Sequence, residues 1–441
     1  MKIKLLLTIL TVITLTISSF SQGKAPNVNG AKNSLKKRAN QVVVIVPRRK
    51  NAIYKVGEKI IFDITITDKK GQPYNGNVNI KLTREDWNKI IQKKKIKIVN
   101  GIGSCELKAD KIGFIRCIVT SIKSGVKWKK LLGTAAIEPF KIKPTQTMPD
   151  DFKKFWNNEI KASKKIKVDL VRTVDTTNTN KNVKVEYINF ANINGTRFYG
   201  ILSSPVKPGK YEATLYLPGA GVRPYQAAKS PNGITLRVGV HGIPINKPMA
   251  YYNKLRNGKL RGYSHFGKTD RHEFYYRRVI LGCLRALDIL INEPNVDPKK
   301  ITVHGGSQGG GLSLILGGLD PRITFVFASV PALCDHTGKK NGRSAGWPQL
   351  FSRNTKKADL PAVRKVSQYY DTVNFARSIT VPVVIGVGLN DVTCQPSSVF
   401  SAYAAIPAKN KALVIDPKSG HRFNAYGGIK RMQAIKERLS Q

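Results

Sequence analysis

The sequence predicts an α/β protein with a mostly parallel sheet covered by helices on both faces. An all-β unit of immunoglobulin-like sandwich type precedes it. Three observations point there. Apolar runs such as Ala213–Leu217 and Val381–Val387 alternate with helical segments in the last two-thirds of the chain. Short alternating strands fill the stretch before them. A glycine-rich turn, Gly305 to Gly311, stands between an apolar strand and an apolar helix.

In chain order, residues 1–21 read as a signal peptide. Lys2 and Lys4 precede the apolar stretch Leu5–Ile17, and Ser19 and Ser21 occupy the small positions before a cleavage site. The mature chain then begins near Gln22 and is secreted, with no stable membrane insertion. Residues 22–40 form a polar, basic lead-in. The sandwich is expected over 41–143. Lys59–Thr67 sets Phe62, Ile64 and Ile66 against Ile61, Asp63 and Thr65 on the other face, and Val42–Val46, Val78–Leu82 and Gly113–Thr120 supply further strands. Pro144 and Pro149 mark the junction to a catalytic domain over 144–441, where Asp150-Asp151 caps a helix carrying Phe152, Phe155 and Trp156. Arg277 to Asn292 reads as a helix with Val279, Leu284 and Leu287 on its apolar side.

The chain has 441 residues and a formal charge of +48, with lysines scattered along its length. That spread, and the lack of any basic helix or zinc-finger spacing, argues against a nucleic-acid partner. The simpler reading of the charge is compositional; the sharper one is attraction to an acidic polymer. The five cysteines form no CxxC pair. Cys105 and Cys117 are read either as a pair facing each other on neighbouring strands or as two separate buried residues.

The central motif is Gly305-Gly306-Ser307-Gln308-Gly309, a GxSxG between the strand Ile301–His304 and the segment Leu312–Leu316. Strand, turn and helix is the setting of a nucleophile elbow in the α/β-hydrolase fold, and glycines beside the serine relieve the collisions of a sharp turn. A serine hydroxyl needs a base. In this fold the order is serine, acid, histidine. His336 comes too early, so His421, after the strand Ala412–Ile415, is the base. Asp391, after Val381–Val387 and the turn Gly388-Leu389-Asn390, is the acid. Asp416 is the rival and is read as shaping the turn before His421. The oxyanion needs donors already in place. These are the backbone N–H of Gln308 and, in the small-residue turn Pro218-Gly219-Ala220-Gly221, that of Ala220.

From Pro149 onward the chain resembles the acetyl xylan esterase / cephalosporin-C deacetylase family. The resemblance rests on Pro149-Asp150-Asp151-Phe152, Tyr275-Tyr276-Arg277-Arg278, the Gly-Gly-Ser-Gln-Gly-Gly-Gly run at 305–311, and Asp391 with Cys394 and Pro396. It implies removal of acetyl groups from short acetylated saccharides, without a metal or other cofactor, by Ser307, His421 and Asp391. Three positions depart from the family. Its Arg-Gly-Gln motif is replaced by Val240-His241-Gly242, with His241 either structural or part of a changed pocket. Its His-Glu pair reads His421-Arg422, and an aromatic beside the oxyanion loop is replaced by Ala220. Hydrolysis is still expected; xylan specificity is left open.

The predicted activity is therefore a secreted serine esterase acting through an acyl-enzyme on an acetylated oligo- or polysaccharide, possibly acidic, with a homo-oligomer as a possible assembly. The alternatives are a serine peptidase or other carboxylesterase of the same fold, or a non-catalytic glycan-binding protein.

Overall fold

The computed structural model describes residues 41–86, 89–122, 132–351 and 355–440. The signal peptide and lead-in expected at 1–40 lie outside the described residues.

The N-terminal part consists of eight described strands in two sheets. They are β1 (Gln41–Pro47), β2 (Ile53–Tyr54), β3 (Lys59–Asp68), β4 (Gly76–Arg84), β5 (Ile90–Ile98), β6 (Ile102–Lys108), β7 (Gly113–Ser121) and β8 (Leu132–Ile137). One sheet runs β1-β3-β6, the other β2-β8-β7-β4-β5. The period-2 pattern in β3 decides which face is buried. Phe62, Ile64 and Ile66 point inward and meet Ile80 and Leu82 of the other sheet in one core. Cys105 and Cys117 do face each other, Sγ to Sγ 3.5 Å, as free thiols. They do so across the interior between the two sheets and not on neighbouring strands, as one of the two readings had it, because β6 and β7 belong to different sheets.

The larger part is a nine-stranded sheet in the order β17-β16-β15-β14-β12-β13-β11-β10-β9. Its strands are β9 (Val171–Val174), β10 (Val183–Ala191), β11 (Arg197–Pro205), β12 (Tyr211–Leu217), β13 (Ile234–Gly239), β14 (Val296–Gly306), β15 (Phe325–Ser329), β16 (Val383–Gly388) and β17 (Lys411–Asp416). From β13 to β17 neighbouring strands are parallel. The end made by β9, β10 and β11 is antiparallel, which the sequence reading did not anticipate. Its cause is local. Asn194 and Gly195 have φ of 56° and 63° and close the β10–β11 connection as a tight hairpin, the geometry that an Asn-Gly pair favours.

The helices are α1 (Phe152–Lys164), α2 (Met249–Asn257), α3 (Tyr275–Ile291), α4 (Gln308–Leu319), α5 (Leu360–Tyr370), α6 (Thr372–Ala376), α7 (Pro396–Ala405) and α8 (Gly428–Leu439). In α1, Phe152, Phe155 and Trp156 fall at i, i+3 and i+4 and are buried. Each contributes about 1.5–3 kcal/mol of burial by area. Asp151 does not cap α1 with its side chain as expected. Its carboxylate instead accepts from Arg271 Nη1 at 2.8 Å and from the Tyr369 hydroxyl, so a charge-assisted bond wins over the cap. Among the described residues no helix is long and apolar enough to cross a membrane.

Strand β12 is followed by β13 on one side, whereas β14 returns to its other side. Strand order reverses there, and the carboxyl ends of the strands at such a reversal are where sites collect in open α/β sheets. Leu217, the last residue of β12, pairs with Gly305 of β14. The loop after β12 and the turn after β14 therefore leave the sheet side by side.

Candidate active site

Ser307 sits between β14 and α4 with φ 58° and ψ −122°, a conformation that costs a non-glycine residue energy. The backbone locks it there. Its N–H donates to Ser329 O at 2.9 Å, and its carbonyl accepts from Gly311 N–H at 3.0 Å and Ala332 N–H at 2.9 Å. Glycine is required at Gly309, where a Cβ would lie 2.0 Å from the Leu217 carbonyl oxygen. That close approach brings α4 against β12.

His421 stands five residues beyond β17. Asp416 shapes the turn between them, as expected: its Oδ1 accepts from the N–H groups of Lys418 and Ser419, each at 2.9 Å. The imidazole reaches both predicted partners. Nε2 lies 3.0 Å from Ser307 Oγ, and Nδ1 lies 2.8 Å from Asp391 Oδ2. Asp391 is fully buried. Its other oxygen, Oδ1, accepts from Thr393 N–H at 2.7 Å and Cys394 N–H at 3.0 Å. The carboxylate thus has one oxygen fixed by amides and one free to receive Nδ1–H. The hydrogen bond to Asp391 raises the pKa of His421, and burial acts against it. The structure therefore brings Ser307, His421 and Asp391 together from three separate loops.

Gln308 is the first residue of α4, so its N–H has no partner within the helix. Ala220 lies in the loop after β12, beside Gly219, whose position for a Cβ is 3.9 Å from Ser307 Cβ. Gln308 thus directly follows the serine, and the loop that carries Ala220 runs beside it. The side chains that hold them were not foreseen. Gln308 Oε1 accepts from the hydroxyls of Tyr263 at 2.8 Å and Tyr276 at 3.0 Å. Tyr263 in turn accepts from Gly221 N–H at 3.3 Å. His241 secures the same loop: Nε2–H donates to the Gly221 carbonyl at 3.1 Å, and Nδ1 takes the Tyr275 hydroxyl at 2.6 Å. Burial lowers the His241 pKa to about 4, so the ring is neutral with its proton on Nε2. His241 thus has a structural role as a tie on this loop. His336, set aside as a base, is buried, and burial lowers its pKa to about 4.

Asp391, Cys394 and His421 also bring potential metal-ligand atoms within 4.8 Å of one another. They suit a hydrogen-bonded relay better than a cation. Burial pushes the Cys394 thiol well above its ordinary value, whereas a metal binds thiolate. Both nitrogens of His421 already have partners.

The profile of the acetyl xylan esterase family (AXE1) matches residues 137–436, more than half of the chain. The chain belongs to the acetyl xylan esterase family. It is a carboxylic ester hydrolase. Among similar proteins is the acetyl esterase Axe7A of Xylanibacter ruminicola, 30% identical over 386 residues, 86% of each chain. Two solved structures share the fold. The acetyl xylan esterase from Paenibacillus sp. R4 is 24% identical with a TM-score of 0.59, covering 68% of this chain and 98% of its own. Acetyl xylan esterase 1 from Thermoanaerobacterium sp. JW/SL YS485 is 23% identical with a TM-score of 0.54, covering 69% of this chain and 98% of its own. Family membership carries the hydrolase activity.

Proposed function

We propose that the protein is a secreted serine esterase that removes acetyl groups from acetylated saccharides. The carrying observation is the unbroken chain Asp391 Oδ2, His421 Nδ1 and Nε2, Ser307 Oγ. Residues 144–441 carry the chemistry, and the β-rich part at 41–143 is read as an immunoglobulin-like sandwich.

In the first step His421 Nε2 takes the Ser307 proton as Oγ attacks the acetyl carbonyl carbon. The N–H groups of Gln308 and Ala220 receive the oxyanion. The C–O bond to the sugar breaks, and His421 returns the proton to the leaving alcohol. In the second step water gives a proton to His421 and attacks the acetyl-enzyme. Acetate leaves and Ser307 regains its hydrogen. Asp391 holds the ring in the tautomer that presents Nε2 and stabilises the imidazolium between steps.

Acetate release from acetylated xylo-oligosaccharides, measured beside cleavage of peptide amides, tests the reading. Release from the sugars with no amide cleavage is expected. Amide cleavage at comparable rates would move the protein to the peptidases.

A further inference from the structure

Arg116 of β7 is fully buried, yet it serves the segment that carries the acid. Its Nη2 donates to the carbonyl oxygen of Asp391 and to Oε1 of Gln395, each at 2.7 Å. Nη1 donates to the carbonyl oxygen of Glu85 at 3.2 Å. Glu85, just beyond the adjacent strand β4, turns its buried carboxylate to the start of α7. Oε1 accepts from Ser397 N–H at 2.9 Å, and Oε2 accepts from the Ser397 hydroxyl. A carboxylate is favoured there by the unpaired amides of a helix N-terminus. Two charged side chains of the N-terminal part thus hold both ends of the segment 391–397. Phe114, also on β7, packs on Phe400 of α7 with ring centroids 5.7 Å apart.

The bonds from Thr393 and Cys394 fix the Asp391 carboxylate within its own loop, not the loop against the elbow. That second placement depends on contacts from outside. They include Asn390 N–H to Ser419 O at 3.0 Å, Trp347 N–H to Thr393 O at 3.1 Å, and the guanidinium of Arg116. Arg116 is the charged donor of these, and a charge-assisted bond away from water is the strongest kind available.

We propose that Arg116, supported by Glu85, is a positioning residue for the acid of the triad, so that the N-terminal β part completes the esterase site. The inference rests on the proposed roles of Ser307, His421 and Asp391.

The test uses the full chain. In one aliquot an organophosphonate titrates reactive Ser307 to completion; kcat per titrated site and KM are measured on an untreated aliquot with a small acetyl ester. Arg116→Lys keeps the charge but cannot reproduce the planar fork, in which Nη1 reaches Glu85 while Nη2 reaches Asp391 and Gln395. It is expected to lower kcat per site roughly tenfold, with KM changed less than about twofold, since misplacement by an ångström can cost two orders of magnitude. Gln395→Met, which loosens the same fork and removes no charge, is expected to lower kcat per site roughly threefold by the same logic; it carries the test if Arg116→Lys does not fold. A titre that drops while kcat per site stays at the wild-type value in the folded variants would overturn the inference and leave Arg116 a purely structural residue. Wild-type protein that is not labelled at Ser307 would overturn the triad reading, and this inference with it.

Discussion

The hydroxyl of Tyr263 donates to Oε1 of Gln308 across 2.8 Å. The same oxygen of Tyr263 accepts from Gly221 N–H, so one phenol joins the two backbone segments proposed to hold the oxyanion. Tyr263→Phe should lower kcat for acetyl ester hydrolysis about tenfold, from the one to two kcal/mol that a buried hydrogen bond contributes. The predicted change in KM is small, because the donors matter most when negative charge develops. Steady-state kinetics with the folded variant check it. A KM effect with kcat unchanged would place Tyr263 in ground-state binding instead.

Asp391→Asn should be far more severe. An amide can accept Nδ1–H but can also present N–H to the ring and stabilise the wrong tautomer. A loss in kcat on the order of 10⁴ is expected. Near-wild-type turnover would remove Asp391 from the triad.

The pH dependence has a definite sign. His421 must be neutral to accept the serine proton, and the bond to Asp391 raises its pKa. Activity should therefore rise with pH through an acid limb of kcat/KM lying above the ordinary histidine value of about 6.5. The pH–rate profile measures it directly. A limb below that value contradicts the hydrogen-bonded pair.

Much of this site is legible in the chain because it is built from local rules. The elbow is fixed by sterics within seven residues, and the order of serine, acid and base follows from which parallel strand each loop ends. Arg116 is a different case, since its partner Asp391 lies in the loop after β16 of the nine-stranded sheet and is reached only through tertiary packing. Its one linear signal is an arginine in the middle of an otherwise apolar strand, Gly113–Ser121. Tyr263 gives even less, standing in a short turn with no periodicity. The antiparallel end of the large sheet is signalled by Asn194-Gly195 and by the apolar–polar alternation of Val183–Ala191 before it, a hairpin pattern that the sequence reading did not use.

The elbow glycines are not equivalent. A Cβ at Gly309 would meet the Leu217 carbonyl oxygen at 2.0 Å, whereas at Gly306 the nearest atom is 3.8 Å away. Gly309→Ala should destabilise by about 3 kcal/mol or more, in the upper range for overpacking. Gly306→Ala should stay within about 1 kcal/mol of wild type. Urea unfolding of the two variants is the check, and equal losses would contradict the packing of α4 on β12.

Acid should weaken the fold through its buried histidines. Burial lowers the pKa of His241, His304 and His336 to about 4 each. The unfolded chain binds those protons near 6.5, so between about 6.5 and 4 it holds more protons than the folded one, and stability falls as pH falls. Each site contributes on the order of 1–3 kcal/mol across that window. Urea midpoints at successive pH values, with His304→Gln showing a shallower decline, test the assignment; a stability flat across the window would contradict it.

The most direct measurement is rapid-quench mass spectrometry of the wild-type enzyme during hydrolysis of an acetylated xylo-oligosaccharide. The account predicts that the peptide containing Ser307 gains one acetyl group during turnover and loses it when substrate is exhausted, and that Ser307→Ala releases no acetate above background. Acetate released by Ser307→Ala at the wild-type rate, with no acetyl group ever found at 307, would contradict it.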